Sequence, residues 1–211
     1  MIKFDETLVF GFDPAIRGMR NPMNSWDKSD SYYVWPSDEE FHIGQNDYDL
    51  MMKLRNAGTD HRKFMRMIVV YVDITAPLYW WKEFDTYKIG TVTNSCSTMH
   101  KIHAKKFTIE DFSCEHLYCD SKIMLEKLID KLNGYRDNYN WSNIPEQKKE
   151  FWWQMIQLLP SSYNQKRTIM LNYEVLTNIY KSRKNHKLDE WKELCEWIES
   201  LPYSELIIDN N

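Results

Sequence analysis

Apolar and polar positions alternate most cleanly between residues 68 and 75. There Ile68, Val70, Val72 and Ile74 make a wholly aliphatic face opposite a mixed one of Val69, Tyr71, Asp73 and Thr75. A period of two predicts a half-buried β-strand. Ala76 precedes a proline and stays extended. Pro77, with its fixed φ and missing donor, suits a first helical position. Trp80, Phe84 and Tyr87 then recur at helical spacing and predict a helix reaching Tyr87. The GTVTNSCST run that follows is rich in hydroxyls and poor in bulk, and predicts a loop able to cradle a ligand.

Elsewhere the dominant period is that of a helix. Leu50, Met51 and Leu54 stripe residues 47–57, with Gly58 as the stop. Leu125, Leu128, Ile129 and Leu132 stripe residues 121–132, with Asn133-Gly134 as the close and a polar connection over 135–144. Pro145 opens a helix over 145–159 that carries Trp152, Met155 and Ile156, and Pro160 ends it. Further helices are expected over 165–184 and over 188–201, the latter striped by Trp191, Leu194, Ile198 and Leu201. A short first strand is expected over 8–12, a helix start at Ser37-Asp38-Glu39-Glu40, and irregular chain over 104–120. The sum is an α+β chain, helix-rich, with its strands mainly in the first half.

Composition narrows the class. A length of 211 residues suits one domain with a full-sized core, and 43% hydrophobic content with nine Trp is that of a globular protein. No apolar run has the length of a membrane span, and the opening MIKFDETLVF lacks the pattern of a signal peptide. A net charge of −4 without a sizeable basic cluster argues against nucleic acid as the partner. Cys96, Cys114, Cys119 and Cys195 show no framework spacing, so reduced thiols in a cytoplasmic protein are expected.

Several constellations have both a chemical and a plain reading. His100, His103, Cys114, His116 and Cys119 are zinc-ligand types, but their spacing matches no standard zinc pattern, and buried side chains are the reading adopted. Ser97 with His100 lacks the elbow glycines and third member of a nucleophilic triad. The stripe of Trp80, Trp81 and Phe84 is read as core rather than as a stacking platform. Asn172 and Arg183 lie eleven residues apart, about three helical turns, so both point the same way, with Asn178 on a neighbouring face. Taken alone, such polar helix positions are most often a solvated face.

Taken together, the central and C-terminal segments resemble the flavin-dependent thymidylate synthase (ThyX) family. That family carries a histidine before a strand, a proline corner, a helix and then R-H-R-x-x-S-x-N-E-x-S-x-R-Y. His61 falls on the histidine, Pro77 on the corner, Lys82-Glu83 where Arg-Gln is usual, and Thr86-Tyr87-Lys88 where R-H-R stands. One inserted residue later, Thr91 and Ser97 stand for the two serines, Asn94 for the asparagine, Ser95 for the glutamate, Met99 for the arginine and His100 for the tyrosine. The second match has no gap: Leu159-Pro160, Asn172, Asn178 and Arg183 fall on the family's Leu-Pro, two asparagines and closing arginine. The resemblance covers roughly residues 40–200.

The resemblance implies a ThyX-like fold with a small, mostly antiparallel sheet in a homotetramer. It also implies conversion of dUMP to dTMP with FAD, NADPH and methylenetetrahydrofolate. Arg183 would hold and polarise the uracil, His61, Lys88, Asn172 and Asn178 would contact the flavin, and Thr91, Asn94 and Ser97 would meet the nucleotide. The family's phosphate-gripping arginines are replaced by Met99 and Ile156, leaving Lys88, Lys101 and Lys187 as substitute cations. A fold-retaining protein that captures a nucleotide without turning it over is the alternative expectation.

Overall fold

The computed structural model describes residues 2–35 and 41–208. The helix start expected at Ser37-Asp38-Glu39-Glu40 lies outside them. In chain order the elements are β1 (Lys3–Phe10), α1 (Phe12–Arg20), β2 (Tyr32–Tyr33), β3 (Phe41–His42), α2 (Gln45–Asn56), β4 (Val69–Pro77) and α3 (Leu78–Phe84). They continue with β5 (Val92–Ser95), α4 (Thr98–Lys101), α5 (Cys119–Trp141), α6 (Pro145–Leu158), β6 (Asn164–Asn172), α7 (Tyr173–Arg183) and α8 (Asp189–Glu199). Short 3-10 turns lie between them, one of them over Arg62–Met67. The fold is α+β and helix-rich, with a four-stranded sheet in the order β1-β4-β6-β5 and a small antiparallel ribbon of β2 and β3.

The chain divides into two compact units. The first takes Ile74–Thr86 and Asn94–Arg167 with the residues before Phe4; the second takes Phe4–Asp73, Tyr87–Thr93 and the chain from Thr168 onward.

In the first unit, α5 and α6 form a helical pair whose buried residues Leu125, Ile129, Leu132 and Met155 join Ile102, Phe107 and Phe112 in one apolar cluster. The aromatic stripe of α3 is core, as expected: Trp80, Trp81 and Phe84 are almost fully buried, with Trp80 and Phe84 stacked at 5.0 Å. The unfilled donors at the start of α3 are met by the segment before β6, with Leu78 N–H on Tyr163 O and Tyr79 N–H on Ser161 O, each at 3.0 Å.

Three expectations are corrected in or next to this unit. Helix α5 does not stop at Asn133-Gly134 but runs on to Trp141, through the stretch expected as a connection. Asn133 is buried inside the helix, where its amide both donates to Phe107 O and accepts from Phe107 N–H at 2.9 Å. Gly134 is exposed beside it, and Tyr135 and Tyr139 carry the apolar stripe onward. Part of the expected loop, Val92–Ser95, is strand β5, because its sheet position supplies the backbone partners that an isolated polar run lacks. The helix expected over 165–184 splits: 164–172 is strand β6, in which Gln165, Ile169 and Leu171 are buried, and only Tyr173 onward is helical. Sheet burial at every second residue overrides a sequence with fair helix propensity.

The second unit holds the aliphatic face of β4, with Val70 and Val72 buried, against a core that includes Phe64, Met65, Leu176, Ile179, Trp191, Leu194 and Ile198. Pro77 is the extended residue at the end of β4 that precedes α3, one position earlier in role than expected. A buried ion pair braces the early helices: Arg20 Nε donates to Asp47 Oδ1 at 2.6 Å. The other carboxylate oxygen of Asp47 accepts from the Ser29 and Ser31 hydroxyls at 2.7 Å.

Candidate functional site

Most of the residues singled out from the sequence gather along α7 in the second unit. The helix begins where Asn172, in extended conformation, caps it: its Oδ1 accepts from Val175 N–H at 3.0 Å. Asn172 is the last residue of β6 and Arg183 the last of α7, so the two stand at opposite ends of α7 instead of sharing one helix as their spacing led us to expect.

The segment 87–90 contacts both ends of that helix. At the cap end, Gly90 has φ +76 and a Cβ there would lie 3.1 Å from Asn172 Nδ2 and 3.0 Å from Val175 Cγ2. Glycine is needed both for the left-handed backbone and for the close approach. At the far end, Arg183 Nε donates to the Tyr87 hydroxyl at 2.9 Å. The Arg183 guanidinium also lies over the Trp191 ring, 4.4 Å from its centroid, and Tyr87 meets the same indole edge-on at 6.0 Å. Trp191 is fully buried in α8, so the cation is seated on a fixed aromatic surface while its own side chain stays half-buried. A planar cation held in this way keeps its orientation with little loss of rotamer freedom on binding.

Midway along α7, Arg62 pairs with the carboxylate of Glu174 at 3.0 Å, and its guanidinium reaches Asn178 Oδ1 at 3.5 Å. His61, next to it, is exposed and starts the short 3-10 turn. Lys88 is exposed. Thr91 is half-buried, and its Oγ1 is a buried hydroxyl with no hydrogen-bond partner among the described residues. Such a group is satisfied by an incoming donor or acceptor. Asn94 and Ser97 belong to the first unit, where Asn94 is exposed in β5 and Ser97 caps α4 by accepting from His100 N–H at 3.0 Å.

Three residues of this arrangement escaped the sequence reading: Tyr87, Trp191 and Arg62. Tyr87 stood in plain sight at the middle of the segment aligned with R-H-R, but its partner is 96 residues away. Trp191 carried only the signal of a core helix, and Arg62 adjoins the histidine that was singled out. Among the described residues no group of three or more His, Cys, Asp or Glu side chains is placed to hold a metal ion, and the four cysteines are free thiols. No described helix is long and apolar enough to cross a membrane.

No family sequence model matches the chain, and no curated protein matches it either. Solved structures do. Thymidylate Synthase X (ThyX) from Helicobacter pylori with FAD and dUMP superposes with a TM-score of 0.69 at 16% identity, over 97% of this chain and 94% of that one. A second Helicobacter pylori ThyX structure, complexed with FAD and dUMP, gives 0.67 at 15% identity, over 98% and 97%. The UMP/dUMP methylase PolB from Streptomyces cacaoi, bound with 5-Br dUMP, gives 0.59 at 11% identity, over 98% and 94%. The chain therefore has the fold of the flavin-dependent thymidylate synthases, as the spacing of its motifs led us to expect.

Proposed function

We propose that this protein binds a flavin and a pyrimidine nucleotide, and that it methylates dUMP to dTMP with FAD, NADPH and methylenetetrahydrofolate, or carries out a related flavin reaction on such a nucleotide. The observation that carries the reading is Arg183, clamped by Tyr87 and seated on Trp191 at the end of α7. A guanidinium fixed at the edge of a uracil stabilises the negative charge that develops as the ring is activated for attack at C5. The structural neighbours bound to FAD, dUMP or 5-Br dUMP support the same ligand class.

The residues along α7 suit a flavin. Thr91 offers a buried hydroxyl with no partner among the described residues, Gly90 allows close approach of backbone, and Lys88 offers a cation for a phosphate. His61, Asn172 and Asn178 would line the flavin, Asn172 with the amide nitrogen that its capping role leaves over. FAD, once bound, supplies hydride chemistry that NADPH recharges. Arg183 orients and polarises the pyrimidine, and Thr91, in the same unit, contributes a contact to the nucleotide. A homotetramer and a cytoplasmic location complete the proposal.

The test is calorimetric titration of dUMP into FAD-loaded protein, alongside an assay for dTMP. Arg183→Ala should weaken dUMP about 10- to 150-fold, the equivalent of one charge-assisted contact of about 1.5–3 kcal/mol. Unchanged affinity and turnover in that variant would sink the assignment. Met99 and Ile156, standing where the resemblance places phosphate-gripping arginines, favour a second reading, nucleotide capture without turnover. Under it dUMP binds with the same dependence on Arg183, and no dTMP forms.

A further inference from the structure

In the first unit, away from α7 in sequence, α4, the last turn of α5 and the first turns of α6 line an open cavity of about 390 Å³ on the surface. Its walls are of two kinds. Trp152 and Tyr139 supply aromatic surface, while Lys148, Lys149 and His100 supply cationic or protonatable nitrogen, with Met99 at one side. None of its lining residues is acidic.

The aromatic walls are fixed. Trp152 Nε1 donates to Met99 O at 2.7 Å, which holds the indole against α4. Tyr139 meets the His103 ring at 4.3 Å, tilted by 32°, and is approached by the Lys148 ammonium at 5.4 Å from its centroid. The positive charge is concentrated and weakly neutralised. Arg136 has its own partner in Asp137 at 2.7 Å, but Lys149 is in no ion pair among the described residues. The His103 imidazole registers the local field: burial first, and then Lys101, Lys148 and Arg136, hold its pKa below the ordinary value. The positive end of α6, a helix of fourteen residues, opens at the same place through Pro145.

Aromatic walls with uncompensated lysines select a flat, negatively charged molecule. We infer that this cavity binds a small planar anion, an aromatic ring bearing a phosphate or carboxylate. The ring lies against Trp152 and Tyr139, and the anion is held by Lys148, Lys149 and His100. Met99, at one wall, stands where the resemblance places a phosphate-gripping arginine, but the inference is argued from Trp152, Tyr139, Lys148, Lys149 and His100 and not from Arg183 or α7.

Pyridoxal 5′-phosphate is a suitable probe, since its aldehyde condenses with a nearby lysine amine, releasing water, and borohydride reduces the imine to a stable secondary amine. Treatment of the full-length protein with less than one equivalent, then borohydride and peptide mass spectrometry, should place the label on Lys148 or Lys149. The expected preference over other exposed lysines is about tenfold or more, the factor contributed by one added charge-assisted contact. Pyridoxal without its phosphate should lose the preference. An excess of 4-nitrophenyl phosphate, of benzoate or of both should protect these lysines better than inorganic phosphate does, and Trp152→Ala should abolish that difference. The label should stay in place in Arg183→Ala, so failure of the nucleotide assignment leaves this one standing. Label scattered evenly over exposed lysines, or protection by neither aromatic anion, overturns it.

Discussion

Asn172 has two candidate roles, and a short series of substitutions separates them. Its Oδ1 accepts from Val175 N–H at 3.0 Å, while its Nδ2 faces Gly90. Replacement by alanine leaves that N–H without its side-chain acceptor at the start of a helix whose first five residues are all buried. Loss of such a cap costs about 1 kcal/mol, within a range of roughly 0.5–2. For a chain of this size that lowers Tm by about 2–4 °C per kcal/mol. Serine and aspartate both restore an acceptor, and aspartate also favours the positive end of the helix, so both variants should melt within about 0.5 kcal/mol of the parent. Neither offers an amide donor. If Nδ2 contacts the flavin, Asn172→Asp and Asn172→Ser will be stable but will bind FAD more weakly, read as reduced quenching of flavin fluorescence in a titration. The alanine variant melting with the parent in thermal circular dichroism would refute the capping argument. Full FAD affinity in the aspartate and serine variants would refute the flavin role and leave Asn172 a cap alone.

Three further outcomes follow from the packing. Gly134 sits within α5 with open space where a Cβ would be, so Gly134→Ala should stabilise by about 0.5–1 kcal/mol in urea titration; destabilisation would mean that the helix ends there. Asp47 is fully buried, and although burial pushes its pKa up, the Ser31 and Ser29 hydroxyls and Arg20 outweigh that and hold it below the ordinary carboxylate value. A depressed folded pKa stabilises above the unfolded value and is lost as pH falls through the folded one, so Asp47→Ala should cost about 3–5 kcal/mol at pH 7 and the gap should narrow below about pH 4. An equal gap at pH 7 and pH 3 would contradict the linkage. Cys195 is buried, and burial, with Glu199 and Glu196 behind it, pushes its thiol up to about 11. At pH 8 a disulfide-exchange reagent should therefore modify exposed Cys96 and Cys119 promptly and Cys195 only after denaturation; prompt modification of Cys195 in the native protein would contradict its burial.

What could be read in the chain follows the reach of each interaction. The strand at 68–75 and the helices that became α2, α6 and α8 declare themselves because a repeated apolar period is a local record of which face is buried. Segment 164–172 did not, since its burial comes from neighbouring strands, and a local pattern of Gln165, Ile169 and Leu171 accommodates either period. Asn133-Gly134 resembled a helix stop because that pair is a common one, and only the distant Phe107 backbone explains an asparagine inside the helix. The site divides the same way. Asn172 and Arg183 were legible from spacing as a pair, although Asn172 ends β6 and caps α7 and only Arg183 lies in the helix. The clamp that holds Arg183 was not, because Tyr87 and Trp191 reach it from separate segments. No spacing rule connects those three.

The account stands or falls on whether this fold still holds a flavin. The direct measurement is the visible absorbance spectrum of the untagged, purified protein after incubation with excess FAD and gel filtration. The account predicts a flavin band that elutes with the protein and weakens in the Asn172→Asp variant. A colourless protein peak, with all the FAD in the small-molecule fraction, would contradict it.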